Sequence, residues 1–130
     1  MQGLHLTADL RGCAAEQPLM TDPQALRTAC LGAVLAQGLT PVGELFHRFE
    51  PLPGQAGPTG ITGVLLLAES HLAVHTWPEL GGVTLDVYVC NLGADNSDRA
   101  EGLLKALQAL FGPSACELHR LHRGGAGGLP

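Results

Sequence analysis

Positive charge is scarce in this 130-residue chain, where seven Lys and Arg stand against twelve Asp and Glu for a formal charge of −5. No cationic surface is left to neutralise a run of phosphates, which argues against nucleic-acid and anionic-membrane partners. Long apolar runs are missing too. The longest, Val64 to Ala68, is far too short to cross a bilayer, and the opening MQGLHLTADLRGC lacks the basic-then-apolar pattern of an export signal. The expectation is a soluble, cytoplasmic protein. Cys13, Cys30, Cys90 and Cys116 include no CxxC and no paired short spacing, so neither a zinc site nor a secreted disulfide framework is expected. The length suits one domain with an ordinary core and leaves no room for a second.

What is present is a text of strands with two helices. Gly3 to Leu10 alternates apolar and polar residues at the period of a half-buried strand. From Asp22, a plausible N-cap with Pro23 at the first helical position, apolar residues recur at helical spacing until Gly38. Thr40 to Phe49 has the length of a strand whose Pro41 demands a strand start or an edge, and PLPGQAGPTG after it reads as a loop. Ile61 to Ala68, Leu72 to Thr76 and Val83 to Cys90 read as paired strands. Asn96 or Ser97 could cap a second helix closed by Gly112 and Pro113; Ser114 to Leu121 gives a last strand. The order β-α-β-β-β-α-β predicts an α+β two-layer sandwich, two helices on one face of a mostly antiparallel sheet, in a single domain over 1–122 with a flexible tail at 123–130. The uncovered face of so apolar a sheet is better matched to a second subunit than to water.

Chemistry concentrates in AESHLAVHTWPE, residues 68 to 79. His71 and His75 form an HxxxH pair, but β-branched neighbours and Pro78 argue against the helix such a metal pair needs, and no third ligand is near. No metal is expected. A triad of Ser70, His75 and Asp86 is conceivable, yet the nucleophile elbow GxSxG is absent. One residue at a time, a satisfied strand histidine at 75, a small buried thiol at 90 and core or interface packing for Trp77 are the better readings.

Taken together, GITGVLLLAESHLAVHTWPE followed by LDVYVC resembles the proenzyme of the small bacterial S-adenosylmethionine decarboxylases. The matching pattern is Glu69-Ser70-His71, then His75 to Glu79, then Asp86-Val87 with Cys90, at serine-to-histidine and serine-to-cysteine spacings of five and twenty. The likeness extends to VGELFHRFEP (42–51) and more loosely to HLTADLRGC, about 110 of the 130 residues.

The resemblance implies a pyruvoyl-dependent enzyme that makes its own cofactor. The chain would cut itself between Glu69 and Ser70 into a β chain (1–69) and an α chain (70–130), leaving a covalent pyruvoyl group derived from Ser70 that forms a Schiff base with the substrate. By the same resemblance His75 transfers the proton in processing with support from the Thr62 hydroxyl. Cys90 is the proton donor in turnover, Phe49 stacks on adenine, and Glu79 binds the ribose hydroxyls. The family feeds spermidine synthesis and works as a homodimer of αβ protomers with sites at the interface. Thr62 stands where the family commonly has serine. Leu80-Gly81-Gly82 replaces a tyrosine-rich segment, Asn91 replaces a glycine, and the 51–60 loop is longer than usual. The substrate therefore stays open between S-adenosylmethionine and another amino acid such as ornithine or arginine, beside the rival of an uncut dimerisation module. Strict alternation also puts Ser70 on the opposite face from His75, so a bend or bulge at Glu69 to His71 is expected.

Overall fold

A computed structural model of the chain describes residues 1–125. Strand β1 (Gly3–Arg11) leads through a short helix α1 (Pro18–Thr21) to helix α2 (Pro23–Ala36) and strand β2 (Pro41–Arg48). Strands β3 (Ile61–Leu67) and β4 (Ser70–Trp77), a 3-10 turn (Pro78–Leu80), strand β5 (Gly82–Cys90), helix α3 (Ser97–Phe111) and strand β6 (Ala115–Arg123) follow. The strands form one sheet in the order β2-β3-β4-β5-β1-β6, and every neighbouring pair is antiparallel. The α+β sandwich expected from the sequence is the fold observed. Helix α1 was not predicted, β6 runs two residues past Leu121 to include Arg123, which the predicted tail had claimed, Gly124 and Gly125 follow outside any strand, and the tail from 126 lies outside the described residues.

Period-two alternation decides which face the helices cover. Leu4, Leu6, Ala8 and Leu10 of β1, Leu72 and Val74 of β4, and Val83, Leu85, Val87 and Val89 of β5 all point one way and are buried. Onto them pack Leu26, Cys30 and Val34 of α2 and Leu103, Leu104, Leu107 and Phe111 of α3, each set one helical face. Asp22 caps α2 by accepting from the Gln24 backbone N–H at 2.9 Å, with Pro23 at the first position, as its sequence suggested. Gly112 ends α3 in the left-handed region at φ 60°. The opposite face carries His5, Thr62, His71, His75, Asp86 and Tyr88, and among the described residues no helix lies over it; Leu45, Leu66, Trp77 and Leu121 are exposed on it.

One polar residue fastens the two layers. Thr76, 1% exposed, accepts from the Ile61 N–H at 2.9 Å and donates its hydroxyl to the Met20 carbonyl at 2.8 Å, tying β4 to β3 and to α1. Thr76→Val keeps the shape but strands a buried donor and a buried acceptor. The urea midpoint is expected to fall by an amount equivalent to about 1–3 kcal/mol, measured by circular dichroism with an unchanged m-value.

Candidate active site

The β3–β4 hairpin turns on two residues, Ala68 and Glu69, between the paired Leu67 and Ser70. Glu69 sits at φ 57°, the one positive φ among the described non-glycine residues. A side chain with a Cβ is disfavoured there by about 1 kcal/mol or more. The peptide bond that follows it joins Glu69 to Ser70. The Ser70 hydroxyl oxygen accepts from the Cys90 N–H at 3.2 Å, so the strand's first residue is seated at the end of β5. Cys90 is itself held from behind: Asn96 donates from Nδ2 to its carbonyl at 2.8 Å, and Asn91 accepts from the Asn96 N–H at 2.8 Å and donates to Ser97 Oγ at 3.0 Å. Asn91 thus orders the turn behind Cys90, and the polar run NLGADNS is the sequence signal for it.

A second cluster lies at the other end of β4. Thr62 is paired with His75, and its Oγ1 is 3.1 Å from His75 Nδ1. The His75 ring lies 6.0 Å from the Trp77 ring. Beyond them a cavity of 280 Å³ is lined by Phe49, Leu52, Gln55, Trp77 and Glu79, and the Phe49 N–H bonded to the Gly60 carbonyl at 3.0 Å closes the base of the 51–60 loop beside it. Trp77, read from the sequence as packing alone, is a wall of this cavity. Gly81, part of the LGG that departs from the family pattern, is left-handed at φ 62° and accepts at its carbonyl from the Cys13 N–H at 2.9 Å; a Cβ there would stand 3.0 Å from the Cys13 carbonyl oxygen.

The two clusters do not meet within one chain. Five residues of extended strand put Ser70 and His75 about 16 Å apart, and the ladders of β4 with β3 and β5 run without a register shift. The bend or bulge expected at Glu69 to His71 is therefore a tight turn at 68–69 instead. Beyond it β4 is regular, and alternation leaves Ser70 with Leu72 and Val74, away from His75. The Ser70, His75, Asp86 triad is overturned on the same ground, because Asp86 accepts from His5 and His71 at 2.8 Å each while His75 pairs with Thr62. His71 and His75, about 13 Å apart along one face, cannot share an ion. His5 was missed in the sequence because HLTADL read only as strand alternation.

The cysteines separate by environment. Burial pushes Cys30 up to about 12 and raises Cys13 and Cys116 above the ordinary thiol range. Those three are poorly suited to proton exchange near neutral pH, whereas Cys90 is half-buried at the end of β5 beside Ser70.

Residues 4–124 match the sequence profile of S-adenosylmethionine decarboxylase. The chain belongs to the S-adenosylmethionine decarboxylase family. It is 36% identical over 123 residues to the S-adenosylmethionine decarboxylase proenzyme of Picrophilus torridus, covering 94% of this chain and 84% of that one. It is 33% identical over 122 residues to the proenzyme of Archaeoglobus fulgidus, covering 94% and 97%. The crystal structure of the adenosylmethionine decarboxylase from Aquifex aeolicus superposes with a TM-score of 0.80 at 33% identity, over 95% of this chain and 92% of that one. The decarboxylase fold thus extends over nearly the whole chain, both clusters included. Native protein treated with an aromatic disulfide at pH 8 is expected to be modified first at Cys90, with Cys30 reacting only at the rate of unfolding; peptide mass mapping over time reads the order.

Proposed function

We propose that this chain is a self-processing decarboxylase of S-adenosylmethionine, cut between Glu69 and Ser70 and working as a homodimer whose sites are composite. The observation that carries the reading is the left-handed Glu69 directly before Ser70, in a chain matched over 94% of its length by a relative called a proenzyme. In processing, Ser70 Oγ attacks the Glu69 carbonyl carbon, the C–N bond breaks, and the hydroxyl proton passes to the freed amine, exchanging an amide for an ester. A base then takes the Ser70 Cα proton, the ester C–O bond breaks, and Glu69 leaves as a carboxylate. The dehydroalanine at position 70 takes up water and releases ammonia, leaving the pyruvoyl group. Opening the turn also releases the strain held at Glu69.

The Ser70 end fits such a group through the half-buried Cys90, and the other end fits the substrate through the cavity between Phe49 and Glu79. The pyruvoyl carbonyl supplies an electron sink for the charge left by loss of CO₂. Cys90 returns a proton to the α-carbon. Phe49 offers a face for adenine, the Glu79 carboxylate accepts from ribose hydroxyls, and a net acidic protein suits a cationic sulfonium. The decarboxylated product is an aminopropyl donor for spermidine synthesis.

Composite sites resolve the distance along β4. A second copy laid on the open face about a two-fold axis sets the partner's His75 over the end of the first where the Glu69–Ser70 peptide meets Cys90, which shares the open face with Asp86 and Tyr88, twice. Exposed Leu45, Leu66, Trp77 and Leu121 give that face an apolar surface suited to burial.

Intact mass tests the cut: two chains of about half the mass each are expected in place of 13.5 kDa, and a persistent single chain overturns the reading. Purified protein should release CO₂ from S-adenosylmethionine and not from ornithine or arginine. Cys90→Ala should be cut normally and turn over about 100-fold more slowly. His75→Ala chains and Ser70→Ala chains, each uncut alone, test the dimer. Made together, they should yield cut His75→Ala chains, because a mixed dimer holds one complete site; sites within a single chain would leave them whole.

A further inference from the structure

On the open face one chain of side chains joins four strands. His71 on β4 and His5 on β1 each place Nε2 2.8 Å from the same Asp86 Oδ1 on β5, and Arg123 on β6 donates from Nη1 to His5 Nδ1 at 3.1 Å. Tyr88 backs the array: its ring stacks on His71 at 5.9 Å, meets His5 edge-on at 5.9 Å, and lies 5.8 Å from the Arg123 guanidinium.

Donor and acceptor chemistry fixes the protons. An ionised carboxylate only accepts, so both Nε2 atoms carry hydrogen; a guanidinium only donates, so His5 Nδ1 carries none. That pattern is wrong for a metal, although the three ligating atoms lie within 4.8 Å of one another. A coordinating Nε2 must shed its proton to Nδ1, and on His5 that atom faces a cation. The array is a hydrogen-bond chain anchored on charge at both ends, the stronger kind of such bond.

Neither cluster described above uses His5, Asp86 or Arg123. His71, however, directly follows Ser70. While the chain is whole, the 68–69 turn ties residue 70 to β3. A cut there makes residue 70 the end of a strand, and strand ends fray. What then holds the end is the backbone pairing of His71 with Leu66 and Tyr88, which fraying opens first at a chain end, and the His71 ring on Asp86. We propose that His71, Asp86, His5 and Arg123 are positioning residues of the cut enzyme, clamping the new end of β4 so that residue 70 stays beside Cys90. The inference rests on the self-cleavage proposed above. A reacting group displaced by 1 Å loses about 100-fold in rate, so the clamp matters to turnover, while the intact turn makes it dispensable for the cut.

The experiment compares wild type, Asp86→Ala and Asp86→Asn for extent of cutting by mass, for kcat and KM, and for hydrogen exchange at the amides of 71–73. Asp86→Ala should be cut within about threefold of the wild-type rate yet lose at least about tenfold in kcat with little change in KM. Asp86→Asn, which keeps an Oδ1 acceptor, should recover most of that loss. Exchange at 71–73 should be faster in cut Asp86→Ala than in the uncut Ser70→Ala, Asp86→Ala double variant. Should Asp86→Ala not fold, His71→Phe keeps a ring against Tyr88 without a donor and should show the same split. An unchanged kcat, a fall in cutting equal to the fall in turnover, or no recovery by Asn overturns the clamp. A wild-type chain that is neither cut nor active overturns the self-cleavage reading itself, and the clamp with it.

Discussion

The unbroken register of β4 between β3 and β5 governs what the site can be. Residues His71 to His75 of that strand are paired on both sides, while Ser70 pairs only with Leu67, and Thr76 and Trp77 pair only with Val83 and Gly82. Nothing in the ladder lets Ser70 slide or swing toward His75. A protein with this strand must either do without one of the two residues or bring the second from another molecule. The apolar residues exposed on the helix-free face make the second course the natural one. In the proposed dimer, self-association and chemistry are set by the same geometric fact.

The sheet divides its labour by parity. Even-numbered positions of β4 face the helices and fill the core, while odd-numbered ones face outward and carry His71, Ala73, His75 and Trp77. The same division in β5 sends Val83, Leu85, Val87 and Val89 inward and Asp86 and Tyr88 outward. Polar chemistry is thereby kept out of the core of these strands, with Thr76 of β4 as an exception that earns its burial through two hydrogen bonds. The turn at Ala68 and Glu69 interrupts this regularity, and the strained backbone is concentrated where a bond is proposed to break.

Much of the fold was legible in the sequence because alternation and helical spacing are local. Gly3 to Leu10, the Asp22-Pro23 start of α2 and the Gly112 end of α3 could be read from a few neighbouring residues. Helix α1 escaped because PLMT is too short to show a period and is held by a bond from Thr76, 56 positions away. The residue types of the site were legible as a motif, but their grouping was not. Spacing along a chain does not say that His71 pairs with Asp86 and His5, or that Thr62 pairs with His75, because those contacts arise from strand register. Proximity in sequence even misled: Ser70 and His75 share a short motif and stand at opposite ends of a strand.

The strand order carries one more consequence for a chain divided after Glu69. The first piece would own β1, β2 and β3, and the second β4, β5 and β6, yet in the sheet β1 lies between β5 and β6. The two pieces are interleaved like clasped fingers, each holding a strand or an edge of the other through full-length ladders. Neither could depart without dismantling the sheet, so the severed molecule would keep its unity through topology where it had lost it through covalency.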